Sequence, residues 1–147
     1  FVEDLKRLGR KSGGGFYEYP AGGRKYLWPG LADEYPLARR QPALEEVKKR
    51  LLHIQALETV RCLEENVLTS VEEADIGSVL GWSFPSYTGG TLSYIDSIGV
   101  ARFVSECQEF ADRLGPRFAP TEGLLERARR GERFHPKAPW VRAVRAA

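Results

Sequence analysis

From Val100 to Leu114 the apolar positions recur at helical spacing. Val100, Phe103, Val104, Cys107, Phe110, Ala111 and Leu114 share one side, while Arg102, Glu106, Glu109, Asp112 and Arg113 are left for water. Gly115-Pro116 ends this helix. An earlier long helix begins near Pro42, a suitable first residue, with Glu45 and Glu46 at its positive end. Leu44, Val47, Leu51 and Ile54 form one stripe on it, and Leu52, Ala56, Val60 and Leu63 a second. The apolar arc therefore widens toward the C-terminus, where the helix enters a core. We expect it to stop near Asn66, which tolerates a left-handed cap. A last short helix, Glu122 to Arg130, is capped by Thr121 and closed by Gly131.

Between the two long helices, 69–99 reads as two short helices joined by an aromatic turn. Ser70 and Glu73 have capping-box spacing. Ala74, Ile76, Val79 and Leu80 follow as apolar helical positions, and Gly81 suits a C-terminal left-handed cap. Trp82, Phe84 and Tyr87 surround Pro85, which blocks continuation. Thr88 caps a second helix running to Ile98, and Gly99 ends it. The adjacent Gly89 and Gly90 at its start predict a close approach of another backbone.

At the N-terminus, Val2 to Leu8 reads as a helical fragment. The aromatics near Phe16 predict the one extended segment in the chain. Pro20 to Pro42 reads as an ordered connector carrying Trp28, Leu31, Tyr35 and Leu37. The fold class is all-α. The expected division is 1–19 as a remnant of a preceding module, 20–41 as connector, 42–136 as the main helical module and 137–147 as tail.

Composition narrows the function little. Over 147 residues, 42% are hydrophobic and 29% charged, as in ordinary globular chains. No apolar run is long enough for a bilayer. A net charge of +2 does not call for nucleic acid, although positive charge gathers late, in Arg127, Arg129, Arg130, Arg133, Lys137, Arg142 and Arg145. The chain starts at Phe1 and has no methionine, so we expect a piece of a longer protein. Cys62 and Cys107 sit at apolar helical positions and are expected to be reduced, buried thiols in a cytosolic protein.

Candidate chemistry is sparse. Gly9 to Gly15 looks superficially like a phosphate loop, but Asp4 stands where the first glycine of that motif belongs and Arg10 intervenes before Lys11. His53 has no acidic neighbour at metal-site spacing and reads as a surface or half-buried structural histidine. His135 lies in the polar tail. Glu64-Glu65 and Glu72-Glu73 read as a solvated face and a cap, not as acid/base couples.

One resemblance changes this picture. GRKSGGGFYEY (9–19) resembles the G-[RK]-K-[ST]-G-x-G-F-Y segment of the L-3-hydroxyacyl-CoA dehydrogenase family. The stretch 60–100 resembles that family's repeated C-terminal helical module, above all in its multifunctional fatty-acid oxidation members. The matching positions include Leu63-Glu64-Glu65, Ala74-Asp75, Gly81, Phe84-Pro85, Gly89-Gly90 and Asp96 with Gly99. The resemblance implies a parent enzyme that oxidises 3-hydroxyacyl-CoA to 3-ketoacyl-CoA with NAD, using a His-Glu pair and a nucleotide-binding domain that precede this segment. A catalytic Asn in an Asn-Glu pair aligns with Leu57-Glu58, so that Asn is missing. Asn66 and Ser83 stand where the family often has Gly or a small, Gly-like residue.

This chain is thereby implied to be a non-catalytic copy of the module. It would hold no cofactor, pack against the upstream domains of its own chain and stand in for a partner subunit. Acyl-CoA is met only through the parent enzyme. A thiolase β-subunit or a second copy of the chain remain open as partners, and nucleic acid is not expected. Gly81, Phe84, Pro85, Gly89, Gly90 and Asp96 are the expected structural and interface positions. The rival reading is a helical protein- or nucleic-acid-interaction module.

Overall fold

A computed structural model describes residues 1–136. Its chain packs as two units, Phe1–Pro42 and Ala43 onward. Helices dominate, in keeping with the all-α class. The first unit holds α1 (Val2–Leu5), the short strands β1 (Tyr17–Glu18) and β2 (Tyr26–Leu27), and α2 (Leu31–Glu34). The strands pair antiparallel, Tyr17 opposite Leu27 and Glu18 opposite Tyr26. The extended segment expected near Phe16 is therefore half of a hairpin whose second strand lies in the expected connector. Alternation was too brief there to announce it. Helix α1 is shorter than expected, since Lys6 turns left-handed (φ 53°) and Leu8 is exposed.

The second unit contains α3 (Leu44–Glu64), α4 (Val71–Trp82), α5 (Thr91–Ile98), α6 (Val100–Leu114) and α7 (Glu122–Arg130). Helix α5 is central, packing on α3, α4 and α6. Five of its eight residues, Thr91, Leu92, Tyr94, Ile95 and Asp96, are buried. Leu92 and Ile95 join Ala56, Leu57, Phe103, Cys107 and Leu124 in the core. The predicted apolar face of α6 is the buried one from Val100 through Phe110. Thr121 accepts the Leu124 amide and Gly131 closes α7 at φ 66°, as the sequence indicated. Both cysteines are free thiols. Cys107 is buried and Cys62 half-buried.

Several element ends differ from expectation. Helix α3 starts at Leu44 with Ala43 as its cap, so Pro42 is not its first residue. Of its two apolar stripes only the second enters the core, and Leu44 and Leu51 stay exposed. The helix closes at Glu64, and Asn66 (φ 57°) makes the left-handed turn just beyond. Gly81 does not cap α4. The helix runs one residue further to Trp82, and Ser83 takes the left-handed position at φ 63°. Thr88 does not cap α5 either. It ends a short 3-10 turn, and Gly90 occupies the cap with φ 122°. At the start of α4, Ser70 accepts the Glu73 amide but gives its own proton to Glu72, so Glu72 supplies the carboxylate at this cap. Ile76 and Leu80, apolar positions of α4, face outward.

The two non-glycine positions where the family favours Gly or a small residue are thus both left-handed turns. We expect Asn66→Gly and Ser83→Gly each to raise stability slightly, by under about 1 kcal/mol, and Ser83→Val to lower it. Gly81 is an interior helical glycine whose added Cβ would meet nothing within 4 Å. Gly81→Ala should therefore stabilise by about 0.5–1 kcal/mol in urea denaturation, the opposite of what a capping glycine would give.

Candidate functional site

The strongest concentration of buried polar groups surrounds the start of α5. Asp75, projecting from α4 and 4% exposed, points its carboxylate at that helix end. Its Oδ1 accepts the Leu92 amide at 2.7 Å. Its Oδ2 accepts the Ser93 amide at 3.0 Å and the Ser93 hydroxyl at 2.6 Å. A carboxylate here satisfies amides that the helix cannot, and it meets the positive end of the dipole. Gly90 makes the approach feasible, because a Cβ at this position would lie 2.5 Å from the Asp75 Cβ. The close approach expected at Gly89-Gly90 is thus a contact with α4. Gly89, at φ 83°, sets the turn beside it.

A second buried carboxylate, Asp96, lies at the other end of α5. Its oxygens accept the amides of Phe134 and His135 at 3.0 and 2.8 Å, and Arg133 donates to its backbone carbonyl. His135 then reaches Asp75, with Nε2 at 2.8 Å from Oδ2. Residues 133–135 therefore form a strap joining both ends of α5. The Arg127 guanidinium lies over the Phe134 ring at 4.5 Å. His135, read as an isolated tail residue, is part of this arrangement.

Of the expected structural positions, the fold draws Gly89, Gly90 and Asp96 to this cluster. Phe84 is buried at 2% exposure and meets the Tyr94 ring edge-on, and Pro85 starts the 3-10 turn that leads to Gly90. Gly81 stands apart on the exposed side of α4.

A second polar site lies inside the helices. His53 is fully buried, neither on the surface nor half-buried as its sequence context suggested. Its Nε2 is 3.0 Å from Glu106 and its Nδ1 is 3.1 Å from the Tyr94 hydroxyl. Glu106, assigned to the solvent face of α6, is drawn inward. Lys49 donates to it at 2.7 Å and Arg102 at 3.1 Å. Burial pushes the Glu106 carboxyl up, but those two cations outweigh it and leave it below the usual range. Burial also holds the His53 imidazole below its ordinary value, against the pull of Glu106. Tyr94 is pushed up to about 12, chiefly by burial. An ionised Glu106 only accepts, so a neutral His53 donates from Nε2, and Tyr94 donates to Nδ1. Sequence spacing could not show this, because the partners come from three helices.

These groups hold structure more readily than they move protons. The Ser93 hydroxyl donates to Asp75, as His135 Nε2 faces the same oxygen, so serine and imidazole compete for one acceptor and form no nucleophile–base relay. Among the described residues, no cluster of His, Cys, Asp and Glu is placed to hold a metal ion.

Removing the Asp75 carboxylate strands two amides at the helix start. Asp75→Ala should cost about 2–5 kcal/mol, and Asp75→Asn less, read by urea denaturation. For His53 the unfolded chain binds a proton near pH 6.5 while the folded chain resists it. Its contribution is therefore complete above that pH and lost as pH falls below it. Stability should decline from about pH 6.5 downward, the decline should flatten in His53→Gln, and nitrogen NMR should show the Nε2–H tautomer at neutral pH.

No family model matches this chain. Over 138 residues it is 41% identical to the fatty acid oxidation complex subunit alpha of Ectopseudomonas oleovorans. That alignment takes in 89% of this chain but 19% of the relative, so the chain spans about a fifth of that protein's length. The family read from the motifs is therefore the one the comparison returns: along most of its length, this chain is related to part of a fatty acid oxidation complex subunit alpha.

Proposed function

We propose that the chain is a supporting helical domain of a longer cytoplasmic fatty-acid oxidation enzyme. In that enzyme, NAD-dependent oxidation of 3-hydroxyacyl-CoA to 3-ketoacyl-CoA occurs in other domains. This one takes the place of a partner subunit by packing on its upstream neighbours. The relationship to the fatty acid oxidation alpha subunit carries this reading.

The surface of the second unit supports it. Ile76 and Leu80, one helical turn apart on α4, are 59% and 79% exposed. Val67 and Trp82 are exposed nearby in sequence and line a groove of about 390 Å³ with Thr59, Cys62 and Leu68. Apolar surface of this kind on a helical module marks a packing face.

The rival reading of a basic interaction module finds less support. On α7 and the strap, Arg129 pairs with Glu122 and Glu126, Arg130 with Glu126, and Arg133 with Asp96, while Arg127 bonds the Arg133 carbonyl. Positive charge there is spent within the domain. Lys137, Arg142, Arg145 and the tail with Trp140 lie outside the described residues.

Two measurements test the proposal. The purified 147-residue chain should not reduce NAD with 3-hydroxyacyl-CoA, and turnover would overturn the supporting role. In the full-length enzyme, Leu80→Asp and Trp82→Asp should loosen the domain, read as faster proteolytic release with the chain still folded. Unchanged release would show that this face packs against nothing.

A further inference from the structure

The first unit carries a positively charged cleft that the packing role does not use. Between Gly9 and Trp28 there are four cations, Arg10, Lys11, Arg24 and Lys25, and one carboxylate, Glu18. Glu18 is already engaged by Arg7, at 2.6 Å. Among the described residues, none of these four cations has a carboxylate partner, whereas nearly every lysine and arginine of α3, α6 and α7 does. Arg10 and Lys25 line a concave cleft of about 560 Å³ with Tyr19, Pro20 and Gly23.

Aromatic rings back both cations. The Arg10 guanidinium lies over the Tyr19 ring at 5.9 Å, and the Lys25 ammonium over Tyr17 at 4.8 Å. Tyr17 and Tyr19, two apart in an extended run, share one side of the hairpin. A ring face holds a cation without consuming its hydrogen-bond donors. The turn opposite is fixed by Gly22 at φ 75°, with the Gly23 amide donating to the Pro20 carbonyl at 3.2 Å.

We infer that this cleft binds a diphosphate group. The guanidinium offers a planar fork matched to phosphate oxygens, and the ammonium offers a second point charge. The volume lies in the range of small-molecule sites, and a compact concavity suits a doubly charged small ligand better than an extended acidic chain. The glycine loop takes little part. Its Gly9 amide is bonded to Gly14, its Ser12 amide and hydroxyl to Gly9 and its Gly13 amide to Arg10, so the side chains do the binding.

The test is calorimetric titration of the 147-residue chain with sodium pyrophosphate, ADP and adenosine at low and high salt. Pyrophosphate or ADP should bind, more weakly at high salt, and adenosine should not. Binding of both shows that the diphosphate suffices, and binding of ADP alone assigns the diphosphate to a nucleotide. Arg10→Gln with Lys25→Gln should weaken binding by about tenfold or more. Arg39→Gln, on the loop beyond α2, should leave it unchanged. Lys25→Gln alone, expected to weaken binding severalfold, serves if the double variant alters the circular dichroism spectrum. Failure of both phosphates to bind, equal affinity in the substituted chains, or capture of polyglutamate through the same two residues in place of the phosphates would overturn the inference.

Discussion

A buried carboxylate has to be surrounded by donors, and the second unit is arranged around meeting that requirement twice. Asp75 enters the core from α4 and is matched by two amides and a hydroxyl at the start of α5. Those donors are free because they belong to a helix's first turn. No side chain can stand between them, which fixes Gly90. Asp96 repeats the solution at the far end of α5 with amides borrowed from the strap at 133–135. Remove either carboxylate and the central helix loses its registration with its neighbours.

Most of the described cations of this unit are answered within it. Lys49 and Arg102 answer Glu106, which also accepts from the neutral His53, and Arg129 and Arg130 are tied to the acids of α7. Among the described residues, such a module presents apolar α4 surface and cations that are mostly paired. That suits the packing role proposed for it. The hairpin unit differs in kind: its Arg10 and Lys25 rest on tyrosine rings and have no carboxylate partner among the described residues.

Helices could be read from the sequence wherever one local pattern decided them. The apolar face of α6 and the Thr121 and Gly131 caps of α7 needed no distant partner, and they form as written. The pairing of Gly89 with Gly90 announced a close contact, although not which backbone would make it. The order of its motifs also carried the resemblance that the comparison returned.

Tertiary structure alone decided where polar side chains went. His53 and Glu106 are 53 residues apart, and His135 and Asp75 are 60 apart. No spacing rule links residues at such separations, because their meeting depends on how three or four helices cross. The same cause moved the ends of elements. Gly81 lost its capping role to Ser83 because α4 continues through Gly81 to Trp82, and Thr88 lost its role to Gly90 because Asp75 supplied the cap from another helix. Local propensity ranks the options for a chain segment, and the donors and acceptors that packing brings within reach select among them.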